Sequence, residues 1–135
     1  MAIKVLKRGL VTAMVLLALL MGNTTKAQET KTVYYFGMSV LKNKNFAVTP
    51  VISSTILATN YVATCRNELE KYMIDFIPAE TEYEIDWSNR STATSTLGGT
   101  SYSDASKTRL EFINKYKNYG YNIVYLSNMD FRCSQ

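Results

Sequence analysis

Histidine is absent from the 135 residues, and that absence excludes more chemistry than any motif in the chain suggests. Histidine is the commonest general base near neutral pH and the commonest metal ligand, so Ser-His-Asp and Cys-His machinery are ruled out. Cysteine occurs only at Cys65 and Cys133. A zinc centre would therefore need two distant thiolates plus carboxylates, a poor donor set. No Cys-x-x-Cys supports a dithiol oxidoreductase, and no Asp-x-Asp-x-Asp-Gly loop supports a dedicated calcium site. Internal repeats and coiled-coil heptads are also missing. The expectation is a protein that is not an enzyme and carries no cofactor.

Only one long apolar run is present, over 10–21 (LVTAMVLLALLM). Lys4, Lys7 and Arg8 precede it, and a short polar stretch ending at Ala27 follows. This is the layout of a secretory signal peptide over 1–27, with cleavage expected between Ala27 and Gln28. The run is shorter than the about 20 residues a helix needs to cross a hydrocarbon core, so no stable membrane anchor is expected after cleavage. A lipoprotein acceptor cysteine would sit just past the run, whereas the first cysteine is Cys65. The mature chain, 28–135, is expected as one domain outside the cytoplasm, periplasmic or secreted.

Cleavage also removes the excess of positive charge. Of 15 Lys and Arg residues, Lys4, Lys7, Arg8 and Lys26 lie before residue 28, and the rest balance 11 Asp and Glu. The basic isoelectric point of about 9.0 therefore belongs to the leader. Nucleic-acid binding, which wants a clustered basic face on the folded domain, is not expected.

An even cysteine count in an exported chain favours a Cys65–Cys133 disulfide over a metal site. Across a separation of 68 residues, the chain-entropy model puts such a bridge at about 3–5 kcal/mol. Ten Tyr, five Phe and one Trp all follow residue 27. They suit half-buried sheet faces and recognition surfaces alike.

Along the mature chain, 32–41 and 46–53 read as strands of a hairpin about the turn 42–45. Pro50 cannot donate to a ladder, so the second strand should lie at an edge or carry a bulge. A helix over 59–77 follows, with Val62, Cys65, Leu69, Tyr72, Met73 and Phe76 on one apolar stripe and Pro78 as its stop. The alternation of ETEYEIDW over 80–87 predicts a half-buried strand. The Ser/Thr/Gly-rich stretch 88–103 reads as a long mobile loop. A second helix over 104–118, capped by Ser103 and closed by Gly120, leads to a last strand at 121–126. The order β-β-α-β-α-β predicts an α+β two-layer sandwich. Its sheet would be four-stranded, mixed or antiparallel, with both helices on one face.

Two segments offer candidate surfaces. Glu80, Glu82, Glu84 and Asp86 would form an acidic row on the predicted strand, able to attract a cation or a basic partner. The same row would equally serve as a solvated face that keeps an edge from sticking. Trp87, Arg90 and Tyr102, in and beside the 88–103 loop, are the binding candidates, because such loops serve adaptable recognition. Asn89-Arg90-Ser91 also matches a glycosylation sequon. The expected role is binding of a protein or glycan outside the cytoplasm. The alternatives are an accessory or structural subunit of an envelope assembly joined by β-addition, and a carboxylate-based metal-binding domain or enzyme.

Overall fold

A computed structural model describes residues 28–88, 94–99 and 101–134. The expected leader with its Ala27/Gln28 cleavage point, and Arg90 with its sequon, lie outside the described residues or at their limit. The elements in chain order are β1 (Thr30–Leu41), β2 (Asn45–Val48), β3 (Ile52–Leu57), α1 (Val62–Glu80), β4 (Thr94–Gly99), α2 (Tyr102–Asn118) and β5 (Asn122–Tyr125). Helices and strands share one mixed α+β unit, as the periodicities predicted.

β1 is the centre of the sheet. It pairs antiparallel with β2 through Met38↔Val48 to Leu41↔Asn45, and with β3 through Thr30↔Leu57 to Tyr35↔Ile52. β4 pairs with Tyr34 to Ser39, which already face Ser53 and Val48 on their other side. β2 and β3 must therefore lie along one edge of β1 and β4 along the opposite edge. β5 joins β2 in parallel, from Asn45↔Asn122 to Val48↔Tyr125.

β2 and β3 are the two halves of one interrupted strand. Three residues, 49–51, face the two residues 36–37 between the flanking registers, which is a bulge of the kind Pro50 predicted. Thr49 fastens it. The Thr49 N–H donates to the Gly37 carbonyl at 2.9 Å. The Gly37 N–H donates to Thr49 Oγ1 at 2.8 Å, and that hydroxyl donates onward to the Pro50 carbonyl at 2.8 Å. The hairpin turn places Asn43 and Lys44 in the left-handed region, at φ 62° and 57°. Asn45 Nδ2 steadies the turn by donating to the Lys42 carbonyl at 3.0 Å.

Four expectations need correction. First, the helices do not share a face. Val33, Tyr35 and Leu41 point to one side of β1, where Cys65, Leu69, Met73 and Ile77 of α1 cover them. Phe36 and Val40 point to the other side, against Ile113 of α2. Successive residues of a strand alternate between its faces, so the molecule has three layers with the sheet in the middle. Second, the sheet has five strands. Two are additional to those expected: β3, where the second strand resumes beyond its bulge, and β4, which lies within the stretch expected to be a mobile loop. The β4 backbone runs along the length of β1 from Tyr34 to Ser39.

Third, the alternating 80–87 segment is not a strand. α1 continues through Pro78 to Glu80. Pro78 lies in its last turn, where only one ladder bond is lost. Thr81 then closes the helix, its N–H and Oγ1 both donating to the Ile77 carbonyl. Only an isolated bridge, Ile85 against Leu41, joins this segment to the sheet. Fourth, α2 begins earlier than expected, and its cap is Ser101, whose hydroxyl accepts from the Asp104 N–H at 3.1 Å. Gly120, at φ 87°, ends α2 as anticipated.

The chain beyond β5 runs back over α1. Leu126 is buried; Met129, Phe131 and Cys133 are half-buried and pack against the α1 core, while Asp130, Arg132 and Ser134 face outward. Cys133 is bonded to Cys65 of α1, with Cα atoms 5.2 Å apart. The disulfide agrees with the reading of the two cysteines and is compatible with an extracytoplasmic location. Among the described residues no helix is long and apolar enough to cross a membrane.

Candidate functional site

One hollow of the described surface lies between the C-terminal half of α1 and the returning tail. α1 brings Tyr72, Asp75, Phe76, Ala79 and Glu80 to one side. Helical spacing of three and four residues aligns Tyr72, Asp75, Phe76 and Ala79 on a common face. The tail supplies Asn128 and Asp130 on the other side, and the hollow, open to solvent, has a volume of about 470 Å³. A second hollow of about 240 Å³ shares Phe76, Glu80 and Asn128 and extends along Val124 to Ser127. The two hollows adjoin at these shared residues, between the tail and the end of β5, and are together called the trough.

The trough has an aromatic floor. Tyr72 and Phe76 stack with ring centres 5.5 Å apart and planes at 20°. Phe131 meets Tyr72 at 5.5 Å and 61°, and meets Tyr35 edge-on at 6.4 Å. Tyr72 also holds the tail in place, since its hydroxyl accepts from the Asp130 N–H at 3.0 Å. The rim carries three carboxylates, Asp75, Glu80 and Asp130, and none of the lining residues is basic. Stacked rings and carboxylates in the same lining suit a cationic group carried on an apolar stem.

Past the trough the tail ends at a second anchor. Ser134 donates from its N–H to Glu68 Oε2 at 2.9 Å and from its hydroxyl to Glu68 Oε1. These two hydrogen bonds, the hydroxyl's first, hold the Glu68 carboxyl below its ordinary range. Beneath it Tyr35 bonds Ser54 Oγ at 2.5 Å. Burial pushes the Tyr35 phenol above its ordinary value, and the nearby Glu68 charge adds to the rise.

The residues expected from sequence are scattered. Glu80 is the only member of the acidic row that reaches the trough. Glu84 is paired with Lys42 at 2.9 Å in solvent, and Asp86 accepts from the Ser88 N–H and hydroxyl. Each partner holds its carboxyl below the ordinary range. Glu82 borders a separate hollow with Lys42, Asn43 and Glu84. The row therefore does not exist as a row, because the helix that ends at Glu80 turns the chain before the strand could form. Among the described residues no three Cys, Asp or Glu side chains come together to hold a metal ion.

Trp87 is half-exposed and lines a hollow of about 260 Å³ with Lys42, Ile74, Pro78, Glu84 and Ile85. Tyr102 opens α2, is exposed, and leans edge-on against Tyr34 of β1 at 6.1 Å. It stands on the opposite face of the sheet from the trough. Sequence reading missed Asp75, Asn128 and Asp130 as site residues and counted Tyr72 and Phe76 only as core. The available signal was the Tyr72/Phe76 pair at i, i+4 beside Asp75. The course of the tail had no local signature beyond its cysteine. No family model, no curated protein and no solved structure matches this chain.

Proposed function

We propose that the protein is an exported, non-catalytic binding domain whose working surface is the trough between α1 and the tail. Its partner would be an extended, basic segment of another protein. The observation that carries this reading is the trough itself: three carboxylates and the stacked Tyr72/Phe76 rings, with no basic residue in its lining. Burial of apolar stems on the rings would supply affinity, and the carboxylates would steer and orient the cationic heads. A neutral glycan would leave the carboxylates without a role, so a protein partner is preferred. Export rests on the leader-like 1–27 segment and on a disulfide suited to an oxidising compartment. The domain would have no stable membrane anchor, bind no nucleic acid and need no cofactor.

The test is binding of a labelled peptide of alternating lysine and phenylalanine to the oxidised mature protein. Replacing Asp75→Asn together with Glu80→Gln should weaken it by about tenfold and flatten its salt dependence. Equal affinity for the variant would discard the trough as the binding surface. A second reading, an accessory subunit joined by strand addition, draws on the outer edges of β3 and β4. Neither edge has a strand partner among the described residues. It predicts that a proline at Thr55 abolishes assembly with the neighbour while trough binding survives.

A further inference from the structure

We infer that the Cys65–Cys133 disulfide is a latch on the trough: only the oxidised protein has a closed site, and reduction opens it without unfolding the domain. The inference rests on the trough being the binding surface, and adds how that surface is controlled.

The trough has one wall in a regular element and one in the tail. The α1 wall is held by Leu69, Met73 and Ile77, all wholly buried against the sheet. Met129, Phe131 and Cys133 of the tail pack on the outside of that cluster, where they are only half-buried, while the helix–sheet contacts lie beneath them. The tail wall, Asn128 and Asp130, belongs to 127–134, which forms no helix or strand and pairs with none. Its attachments are few: half-buried Met129 and Phe131, the Asp130–Tyr72 hydrogen bond, the exposed Ser134–Glu68 pair, and the disulfide three residues beyond Asp130. Ordering such a segment costs backbone entropy at every residue. Exposed hydrogen bonds return little against it, because water competes for the same groups. With Cys133 tied to a buried residue of α1, the segment has no freedom to recover by leaving. With the tie broken, it does.

A dithiol supplies the reduction by thiol–disulfide exchange. One of its thiolates attacks Sγ of Cys133, the half-buried partner, while Cys65 is fully buried. The Cys133–Cys65 bond breaks, and Cys65 leaves as a thiolate that takes up a proton. The second thiol of the reductant then displaces Cys133 from the mixed disulfide. The reductant ends as a disulfide, having supplied two electrons, and the protein ends with two thiols.

Amide exchange on the full mature chain, with and without a dithiol, tests the latch. On reduction, amides of 128–134 should lose protection while those of β1 and α1 keep theirs. Affinity for the lysine–phenylalanine peptide should fall about tenfold as the Asp130 wall departs. The double variant Cys65→Ala/Cys133→Ala should reproduce both changes without any reductant. Tail amides that stay protected after reduction would overturn the latch, and so would simultaneous loss of protection in β1, which would make the bridge a staple of the whole fold. If the oxidised protein fails to bind the peptide at all, the binding proposal falls, while the exchange data still decide the latch.

Discussion

A methyl group placed on Gly37 would stand 2.1 Å from Sδ of Met73 and 3.3 Å from Cγ2 of Thr49. β1 and α1 therefore meet at this point with a sulfur resting against bare backbone. Met73 is wholly buried, so its flexible side chain has little room to yield. Gly37→Ala should cost about 1–3 kcal/mol, the usual range for overpacking a core. Denaturant unfolding should show a lower midpoint at unchanged slope. Adding Met73→Ala, which costs about 2–5 kcal/mol by itself, should refund part of the first loss. Strict additivity of the two changes would mean that the side chains do not meet as described.

Tyr35 predicts an alkaline limit. Its phenol is raised above the ordinary value of 10.0, by burial first, against the lowering effect of its bond to Ser54. The folded state thus favours the neutral form. Its contribution is whole below pH 10.0 and is lost as pH rises through the higher folded value. Tyr35→Phe should flatten the alkaline limb of a stability profile recorded by thermal melting. An unchanged limb would assign it to other groups, Tyr116 being the first candidate because burial raises its phenol as well.

Glu68 predicts an acid limit with the opposite sign. Its folded value lies below the ordinary 4.5 because Ser134 donates to it. The contribution is therefore present above 4.5 and disappears as pH falls through the lower folded value. The effect should be local. Amide signals of Ser134 and Cys133 should shift and exchange faster below that range, and Glu68→Gln should remove the pH dependence of both. A tail that stays insensitive to acid in the wild-type chain would contradict the anchoring seen at Ser134.

Sequence and structure agree where the signal is local and chemical. The hairpin, the bulge at Pro50, the Gly120 stop and the cysteine pair each rest on one or two residues whose conformational limits are narrow. They part where a choice depends on the far side of the sheet. β4, TSTLGG, carries one large apolar residue, Leu97, and two glycines, so its period is faint. What makes it a strand is the open edge of β1 beside it. Gly98 also lies close under that neighbour, where an added methyl would come within 3.2 Å of the Tyr34 carbonyl. The 80–87 alternation misled for the converse reason, since a helix tolerates proline in its last turn.

The opposed helices had left a trace in the sequence. Apolar residues follow one another directly in β1, as Tyr35-Phe36 and Val40-Leu41, and strands buried on both sides read this way. The tail wall of the trough was illegible in detail, because the disulfide indicates only that the tail meets α1, not which groups the detour aligns.

β1 also sets how the molecule must melt. The smaller core, Phe36, Val40, Phe46, Val48 and Ile113, is too slight to stand by itself. It shares its strand, residue by residue, with the larger core behind it. Two kernels with a common wall have no separate melting points: whatever loosens one removes the floor of the other. Heat should therefore disassemble α1, α2 and the sheet in a single step, and the tail should depart earlier only once the Cys65–Cys133 bond is reduced.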